Sequence, residues 1–345
     1  MRLKFLSFGL KISFPRICGI SISLDIPCLE QNIDFEFLPS WYFYISIMFS
    51  VLTADFSLGR CAISEMPQQA LMELLITEIP ESEEVTTSSP TTTENCCMWR
   101  GVSCTDGRVL HISWMLKFNE KGGHIDLRYV PVDVIVLFMH LNNLDGTIDC
   151  VSLPSGLFKL NLSRNCLHGS LSLAELPPNV QQVHINDNNL SGSVDLTRLP
   201  KAIQVLFLGA NAFSGTINLS CLPDTLVTLS LQHCELCGSV DVTHLSSKMD
   251  ALNLMGNQFS GSIVIENLPA SIRCLDLQNN LFIGELDLRS LSCETKGIIY
   301  LANNKISGIV RVHHALKTTV VLRGNKVTHV VDETGAPFTS VKLKF

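Results

Sequence analysis

Charge is scarce in this chain, at 17% of its 345 residues, and the formal net charge is -7. Nucleic-acid-binding surfaces need a basic stripe, often with interleaved aromatics, and none is present, so no nucleic-acid partner is expected. Catalytic patterns are lacking as well, because the histidines are scattered and no Ser-His-Asp set or carboxylate pair stands out by its spacing. The sequence therefore predicts neither an enzyme nor a bound cofactor.

Two short motifs resemble metal sites but have unsuitable surroundings. Cys234 and Cys237 form a CxxC, but no second CxxC accompanies them to complete a four-ligand zinc site. His313 and His314 are adjacent on a strand-like segment, where successive side chains point to opposite faces. The sequence therefore predicts no metal site.

Repetition is the dominant feature of the sequence. From residue 130 to residue 327 the chain follows one template, LPxxLxxLxLxxNxLSGxIDLxx, with a constant step of 23 residues between glycines. The glycines are Gly146, Gly169, Gly192, Gly215, Gly238, Gly261 and Gly284. The eighth copy carries one extra residue before Ile299, and the ninth copy is shorter. A period of this length is typical of a solenoid.

Each position of the template has a physical task. The leucines of the LxL core point inward from a short strand, and the residue between them points outward. The asparagine after each strand is expected to be buried and to pair with backbone groups of adjacent turns. This asparagine column comprises Asn142, Asn165, Asn188, Asn211, Asn257, Asn280, Asn304 and Asn325, with Cys234 in the fifth copy.

The template resembles the leucine-rich repeat. The resemblance implies a β-rich α/β fold, a right-handed solenoid of about nine 23-residue turns with a parallel, concave sheet and a cap at each end. A turn this small cannot bury its own leucines, so neighbouring turns must cover one another.

A second resemblance lies in the segment NCCMWRGVSCTDGRV, residues 95–109. It is similar to the N-terminal cap of plant-type extracellular leucine-rich repeat proteins, whose signature is CCxWxGVxC. The resemblance implies a disulfide between Cys97 and Cys104, with Cys61 and Cys96 as a second pair. Disulfides are typical of oxidising compartments, so the implied disulfide favours a secreted or cell-surface protein over a cytosolic one. The whole arrangement over residues 66–345 is most similar to surface and secreted leucine-rich repeat proteins of trypanosomatid flagellates.

The sequence divides into four expected segments. They are an N-terminal extension at 1–60, a cap at 61–129, the repeats at 130–327 and a C-terminal cap at 328–345, which is expected to be a strand-turn-strand lid. The cap should begin with a helix over 66–77 and contain a flexible loop rich in Ser, Thr and Glu at 81–94. No apolar tail follows the repeats, so we expect neither a C-terminal membrane span or lipid-anchor signal nor a kinase domain.

An uncharged run at 37–54 is the candidate targeting segment. Its length lies between that of a signal-peptide core and that of a membrane span. Three interpretations stay open: a cleaved secretion signal, an uncleaved membrane anchor, and an artefact of an upstream start codon.

Binding is expected on the concave face, as is common for this fold. The outward positions of the LxL cores are Phe138, Asn161, His184, Phe207, Ser230, Asn253, Asp276, Tyr300 and Val321. Flanking positions are Phe158, Lys159, His140, Arg164, Asp187, Gln232, Met255, Arg273, Gln278 and Arg323. Aromatics and arginine are enriched at interfaces, so the expected partner-binding residues are Phe138, Phe158, His184, Phe207, Asp276, Arg273 and Tyr300.

The predicted function is therefore non-enzymatic recognition of a protein or glycan. The alternatives are an inhibitor of a secreted hydrolase and a surface-coat protein without a specific ligand.

Sequons for N-glycosylation occur at Asn161, Asn189 and Asn218, and a glycan on Asn161 would cover part of the concave face. Most repeat cysteines should be free, because no two share a template position where a bridge could form easily. They are Cys150, Cys166, Cys221, Cys234, Cys237, Cys274 and Cys293.

Overall fold

The structure is a computed structural model that describes residues 11–13, 23–25, 63, 65–86, 95–291, 297–340 and 342–345. Its contacts divide the chain into two units, 1–62 and 63–345. In the first unit, β1 (Lys11–Ser13) pairs antiparallel with β2 (Ser23–Asp25). The targeting segment predicted at 37–54 lies outside the described residues. Within the described ranges, no helix is both long enough and apolar enough to cross a membrane.

The second unit is a solenoid whose main sheet is parallel except for an antiparallel hairpin at its N-terminal edge. The strands of this concave sheet are, in spatial order, β3 (Val102–Thr105), β4 (Arg108–Ser113), β6 (Val136–Phe138), β8 (Lys159–Asn161), β10 (Gln182–His184), β12 (Val205–Phe207), β14 (Thr228–Ser230), β16 (Ala251–Asn253), β18 (Cys274–Asp276), β20 (Ile298–Tyr300), β22 (Thr319–Val321) and β24 (Leu343–Lys344).

A second set of parallel strands forms around the template glycines. A pair at its start consists of β5 (Gly123–His124) and β7 (Leu144–Asp145). The eight-stranded sheet that follows contains β9 (His168–Ser170), β11 (Asn189–Gly192), β13 (Ala212–Gly215), β15 (Glu235–Gly238), β17 (Gln258–Ser262), β19 (Leu281–Leu288), β21 (Lys305–Val312) and β23 (Lys326–Val331). The described α-helix is α1 (Gln68–Ile76), and short 3-10 helices lie at Ser82–Glu84, Cys96–Met98, Leu127–Tyr129, Cys150–Ser152 and Leu173–Glu175.

The leucine columns form the core, as the template predicted. Leu206, Leu229 and Leu252 lie opposite one another in successive strands, and each is 0% exposed. The predicted leucine-rich repeat solenoid is confirmed, and its count of about ten turns is close to the predicted nine. The additional turn begins at β4, where Ile112 and Trp114 take the places of the two inward leucines.

Buried asparagine amides join consecutive turns. Asn188 Nδ2 donates to the carbonyls of Leu162 in the preceding turn and Ile185 in its own turn, both at 3.0 Å. Its Oδ1 accepts from the backbone N–H of Leu167 at 3.0 Å. The same pattern of two donated bonds and at least one accepted bond recurs at the other members of the column. They are Asn142, Asn165, Asn211, Asn257, Asn280, Asn304 and Asn325.

Cys234 occupies this column with a weaker set of contacts. Its Sγ lies 3.9 Å from the carbonyl oxygen of Leu208, and burial raises the pKa of the thiol. It is a free cysteine, as are the other described repeat cysteines, Cys150, Cys166, Cys221, Cys237 and Cys274. Cys293 lies outside the described residues.

The N-terminal cap covers the leucines of the first turn. Met72 and Leu75 of α1 are buried in the same core as Trp114, and Gln68 hydrogen-bonds the backbone of the edge hairpin through Val109 N at 2.7 Å and Gly107 O at 3.0 Å. Cys97 and Cys104 form the predicted disulfide. Cys96 is a buried free thiol, and Cys61 lies outside the described residues.

Two sequence-based expectations for the caps were wrong in part. The flexible loop predicted at 81–94 begins with an ordered 3-10 helix, because Val85 is fully buried and its carbonyl accepts from Arg100 N at 2.8 Å. Residues 87–94 of this loop lie outside the described residues. The predicted C-terminal lid has a strand, a turn and a strand, and after β23 the chain turns back to form an antiparallel bridge between Val331 and Pro337. The two strands do not pair with each other, because β23 continues the second sheet and β24 continues the concave sheet.

The asparagine column predicts a large difference between two neighbouring substitutions. Asn188→Ala leaves the backbone N–H of Leu167 without its partner and removes one of the two asparagine donors from each of the carbonyls of Leu162 and Ile185. It should lower the free energy of unfolding by roughly 2–6 kcal/mol, from about 1–3 kcal/mol for the unsatisfied N–H and about 0.5–1.5 kcal/mol for each of the two bonds lost. Asn189→Ala is the matched control, since Asn189 is the next residue and is exposed. Urea unfolding monitored by circular dichroism measures both, and equal losses would contradict the structural role of the column.

Candidate functional site

The outward residues of the concave sheet form one continuous ladder. The strand register places Phe138 opposite Asn161, Asn161 opposite His184, and His184 opposite Phe207. The ladder continues through Ser230, Asn253, Asp276, Tyr300 and Val321. It extends at both ends beyond the predicted set, to Ser113 on β4 and Lys344 on β24. Sequence analysis missed these two because neither strand carries an LxL core of leucines.

Three ladder residues near the N-terminal end and the flanking His140 form two pairs of aromatic rings. The rings of His184 and Phe207 meet edge to face with centroids 4.7 Å apart. Phe138 and His140 meet in the same way at 6.3 Å. We call Phe138, His140, His184 and Phe207 the aromatic patch. All four are half-buried, so each offers part of its ring to a partner.

His140 has an unusual environment within the aromatic patch. Its Nδ1 is buried and has no hydrogen-bond partner, although buried polar atoms are nearly always paired. Burial lowers the pKa of His140, and the nearby Arg164 lowers it further. Burial also lowers the pKa of His184, assisted by His140. Both rings are therefore neutral at pH 7, and the patch is polarisable but uncharged.

The other predicted partner-binding residues lie elsewhere on the sheet. Phe158 is 36% exposed, with Lys159 Nζ 5.8 Å from its ring centroid. Tyr300 lies four strands beyond Phe207, which is about 19 Å at ~4.8 Å per strand. Arg273 is exposed but pairs with Asp250 of the preceding turn, with Nη2 2.9 Å from Oδ2. The structure therefore does not bring the predicted residues into one cluster.

Asp276 is a poorer contact residue than its ladder position predicted. It is only 8% exposed, and its Oδ1 and Oδ2 accept from Gln278 N at 3.1 Å and Gln278 Nε2 at 3.0 Å. Burial raises the pKa of this carboxyl, against the two bonds from Gln278. Ser230 is similarly buried and bonded to Gln232. Side-chain contacts with the residue two positions later hide both groups, and the sequence pattern alone does not reveal them.

The sequon asparagines differ in their surroundings. Asn161 lies on the ladder between Phe138 and His184, and its Oδ1 accepts from Ser163 N at 3.1 Å and Ser163 Oγ at 2.8 Å. Asn189 and Asn218 are exposed and away from the concave ladder.

The solved structures that resemble this chain are solenoids of the same class. The leucine-rich repeat ectodomain of the plant membrane receptor kinase GASSHO1/SCHENGEN3 from Arabidopsis thaliana, in complex with CASPARIAN STRIP INTEGRITY FACTOR 2, is similar with a TM-score of 0.54 and 19% identity over 77% of this chain. The PEPR1-AtPEP1 structure is similar with a TM-score of 0.56 and 18% identity over 75% of this chain. This chain covers 42% of the length of each of those two chains.

A third similar structure is a plant ice-binding protein, with a TM-score of 0.50, 20% identity, and coverage of 70% of this chain and 88% of that one. No protein-family model and no curated protein sequence matches the chain. At these identities the likeness establishes the leucine-rich repeat fold.

The lowered histidine pKa values predict how stability depends on pH. An unfolded histidine has a pKa near 6.5. As the pH falls, His140 and His184 therefore become protonated at a higher pH in the unfolded chain than in the folded chain. Their contribution to stability is complete above about pH 6.5 and is lost as the pH falls toward the lowered pKa values. His184→Gln should therefore flatten the fall in unfolding free energy below about pH 6.5. NMR titration showing His184 with a pKa at or above 6.5 would contradict this account.

Proposed function

We propose that this chain is a non-enzymatic recognition protein that binds a protein or glycan on its concave sheet, with the aromatic patch as the principal contact. The observation that carries the proposal is the group of four half-buried aromatic rings on the outward side of the concave sheet. Partly desolvated aromatic side chains supply much of the binding energy in protein interfaces.

A protein segment fits this surface better than a compact ligand. The ladder presents one outward side chain per strand, at a spacing of ~4.8 Å, and the polar section from Ser230 to Asp276 separates the patch from Tyr300. An extended chain running along the ladder could contact both aromatic ends. The solved complex of the GASSHO1/SCHENGEN3 ectodomain with its factor supports the use of such a fold for protein binding.

We infer delivery through the secretory route to the cell surface or the exterior. The Cys97–Cys104 disulfide supports this inference, because disulfides persist in oxidising compartments. The narrower resemblance to trypanosomatid surface proteins remains a proposal that is supported by the LP-initiated turns and their GxIDL ends. Glycans are proposed at Asn189 and Asn218, and the proposed binding surface requires that the third sequon, at Asn161, carries no glycan, because a glycan there would cover the patch.

Substitution of the patch should separate folding from binding. Phe207→Asp places a charge among the aromatic rings, where a partner would have to desolvate it, so partner capture should fall at least about tenfold, which corresponds to about 1.4 kcal/mol. Folding should be retained, because Phe207 points away from the core leucines on either side of it. Quantitative proteomics of proteins captured by the immobilised chain from the extracellular fraction of its own cells measures the effect.

The matched control is Val264→Asp. Val264 is 49% exposed, and it occupies the template position at which other turns carry an aspartate, namely Asp126, Asp149, Asp195, Asp241 and Asp287. The control should capture the same proteins as the unaltered chain. Equal capture by Phe207→Asp and the unaltered chain would move the binding site away from the aromatic patch.

A further inference from the structure

Two histidines and a glutamate come together at the C-terminal end of the solenoid. β21 ends at Val312, and the chain turns at His313 and His314, so their rings lie side by side with centroids 4.3 Å apart and planes inclined by 31°. The expectation that the two side chains point to opposite faces was therefore wrong, because it assumed that the strand continues through both residues.

Glu333 reaches the same place from the next turn. β21 and β23 pair in parallel with Arg311 opposite Val331, so the residues that follow each strand are also neighbours. Glu333 Oε2 accepts from His314 N at 2.9 Å, and Glu333 Oε1 contacts His314 Nδ1. One donor atom from each of the three side chains lies within 4.8 Å of the other two.

The donor atoms are suitable for a transition metal ion. His313 Nδ1 accepts from Ala315 N at 3.1 Å, so in the neutral ring this nitrogen carries a lone pair that a metal could use in place of that bond. Two imidazole nitrogens and one carboxylate oxygen form a donor set that Zn²⁺ binds in proteins, with water as the fourth ligand. Ligand bonds of about 2.0–2.2 Å require the donors to approach more closely than 4.8 Å. His314 and Glu333 are exposed and His313 is half-buried, so rotation of the side chains can achieve this.

We propose that His313, His314 and Glu333 bind one zinc ion. The ion would join the connection after β21 to the connection after β23, and so link two consecutive turns at the C-terminal end of the repeats. A ligand that binds only the folded chain stabilises it by mass action. Zinc bound at this site would therefore stabilise the folded chain, and the site is separate from the aromatic patch.

Calorimetric titration of Zn²⁺ into the full-length chain, without a reductant so that the Cys97–Cys104 disulfide stays intact, tests the proposal. One equivalent should bind, and the thermal midpoint of unfolding should rise with zinc concentration. His314→Ala and Glu333→Gln should each weaken zinc binding by at least about tenfold. Loss of a residue that only supports a metal ligand already lowers metal affinity by about 10–100-fold. His329→Ala is the matched control, because His329 is an exposed histidine on β23 outside the cluster, and it should bind zinc like the unaltered chain.

Cobalt(II) distinguishes this site from adventitious binding by the free cysteines. Cobalt bound to imidazole and carboxylate lacks the thiolate charge-transfer band, so the spectrum of the one-equivalent complex should show no such band. Circular dichroism without metal checks that each variant is folded. The proposal is overturned by a thiolate band, by zinc affinity unchanged in His314→Ala and Glu333→Gln, or by the lack of a one-equivalent site.

Discussion

The inward turn after each strand of the concave sheet imposes the main constraint on this fold. Backbone carbonyls and amides are buried there without strand partners, and a buried unpaired group costs about 1–3 kcal/mol. In eight of the turns an asparagine removes that cost, as Asn188 does by bonding Leu162, Ile185 and Leu167. Each asparagine amide bonds carbonyls of two consecutive turns, so it sets the distance between those turns. That distance in turn determines how the leucines of the two turns pack.

This arrangement separates stability from recognition. The inward side chains and the asparagine column hold the turns together, so the outward residues of the concave sheet are free to vary without loss of the core. Phe138, His184 and Phe207 use that freedom to form an aromatic surface.

The sequence predicted well what the 23-residue period controls. The period determined the strand positions, the core leucines and the ladder, and the CCxWxGVxC signature indicated the Cys97–Cys104 disulfide. Prediction failed where contacts outside the period decide the structure. Val85 orders part of an otherwise polar loop by entering the cap core, and Asp276 is hidden by its own neighbour Gln278. The approach of Glu333 to His313 and His314 depends on where β21 ends, which no residue pattern marks.

Cross-linking mass spectrometry on intact cells that make the native protein tests the central claim most directly. A lysine-reactive linker that does not cross membranes reports exposure outside the cell and the binding surface at the same time. Lys159 lies on β8 beside the ladder, whereas Lys201 and Lys248 are exposed in the connections between strands. The account predicts links from Lys159 to a partner protein and no such enrichment at Lys201 or Lys248. No links on intact cells, or links to a partner only through Lys201 and Lys248, would contradict it.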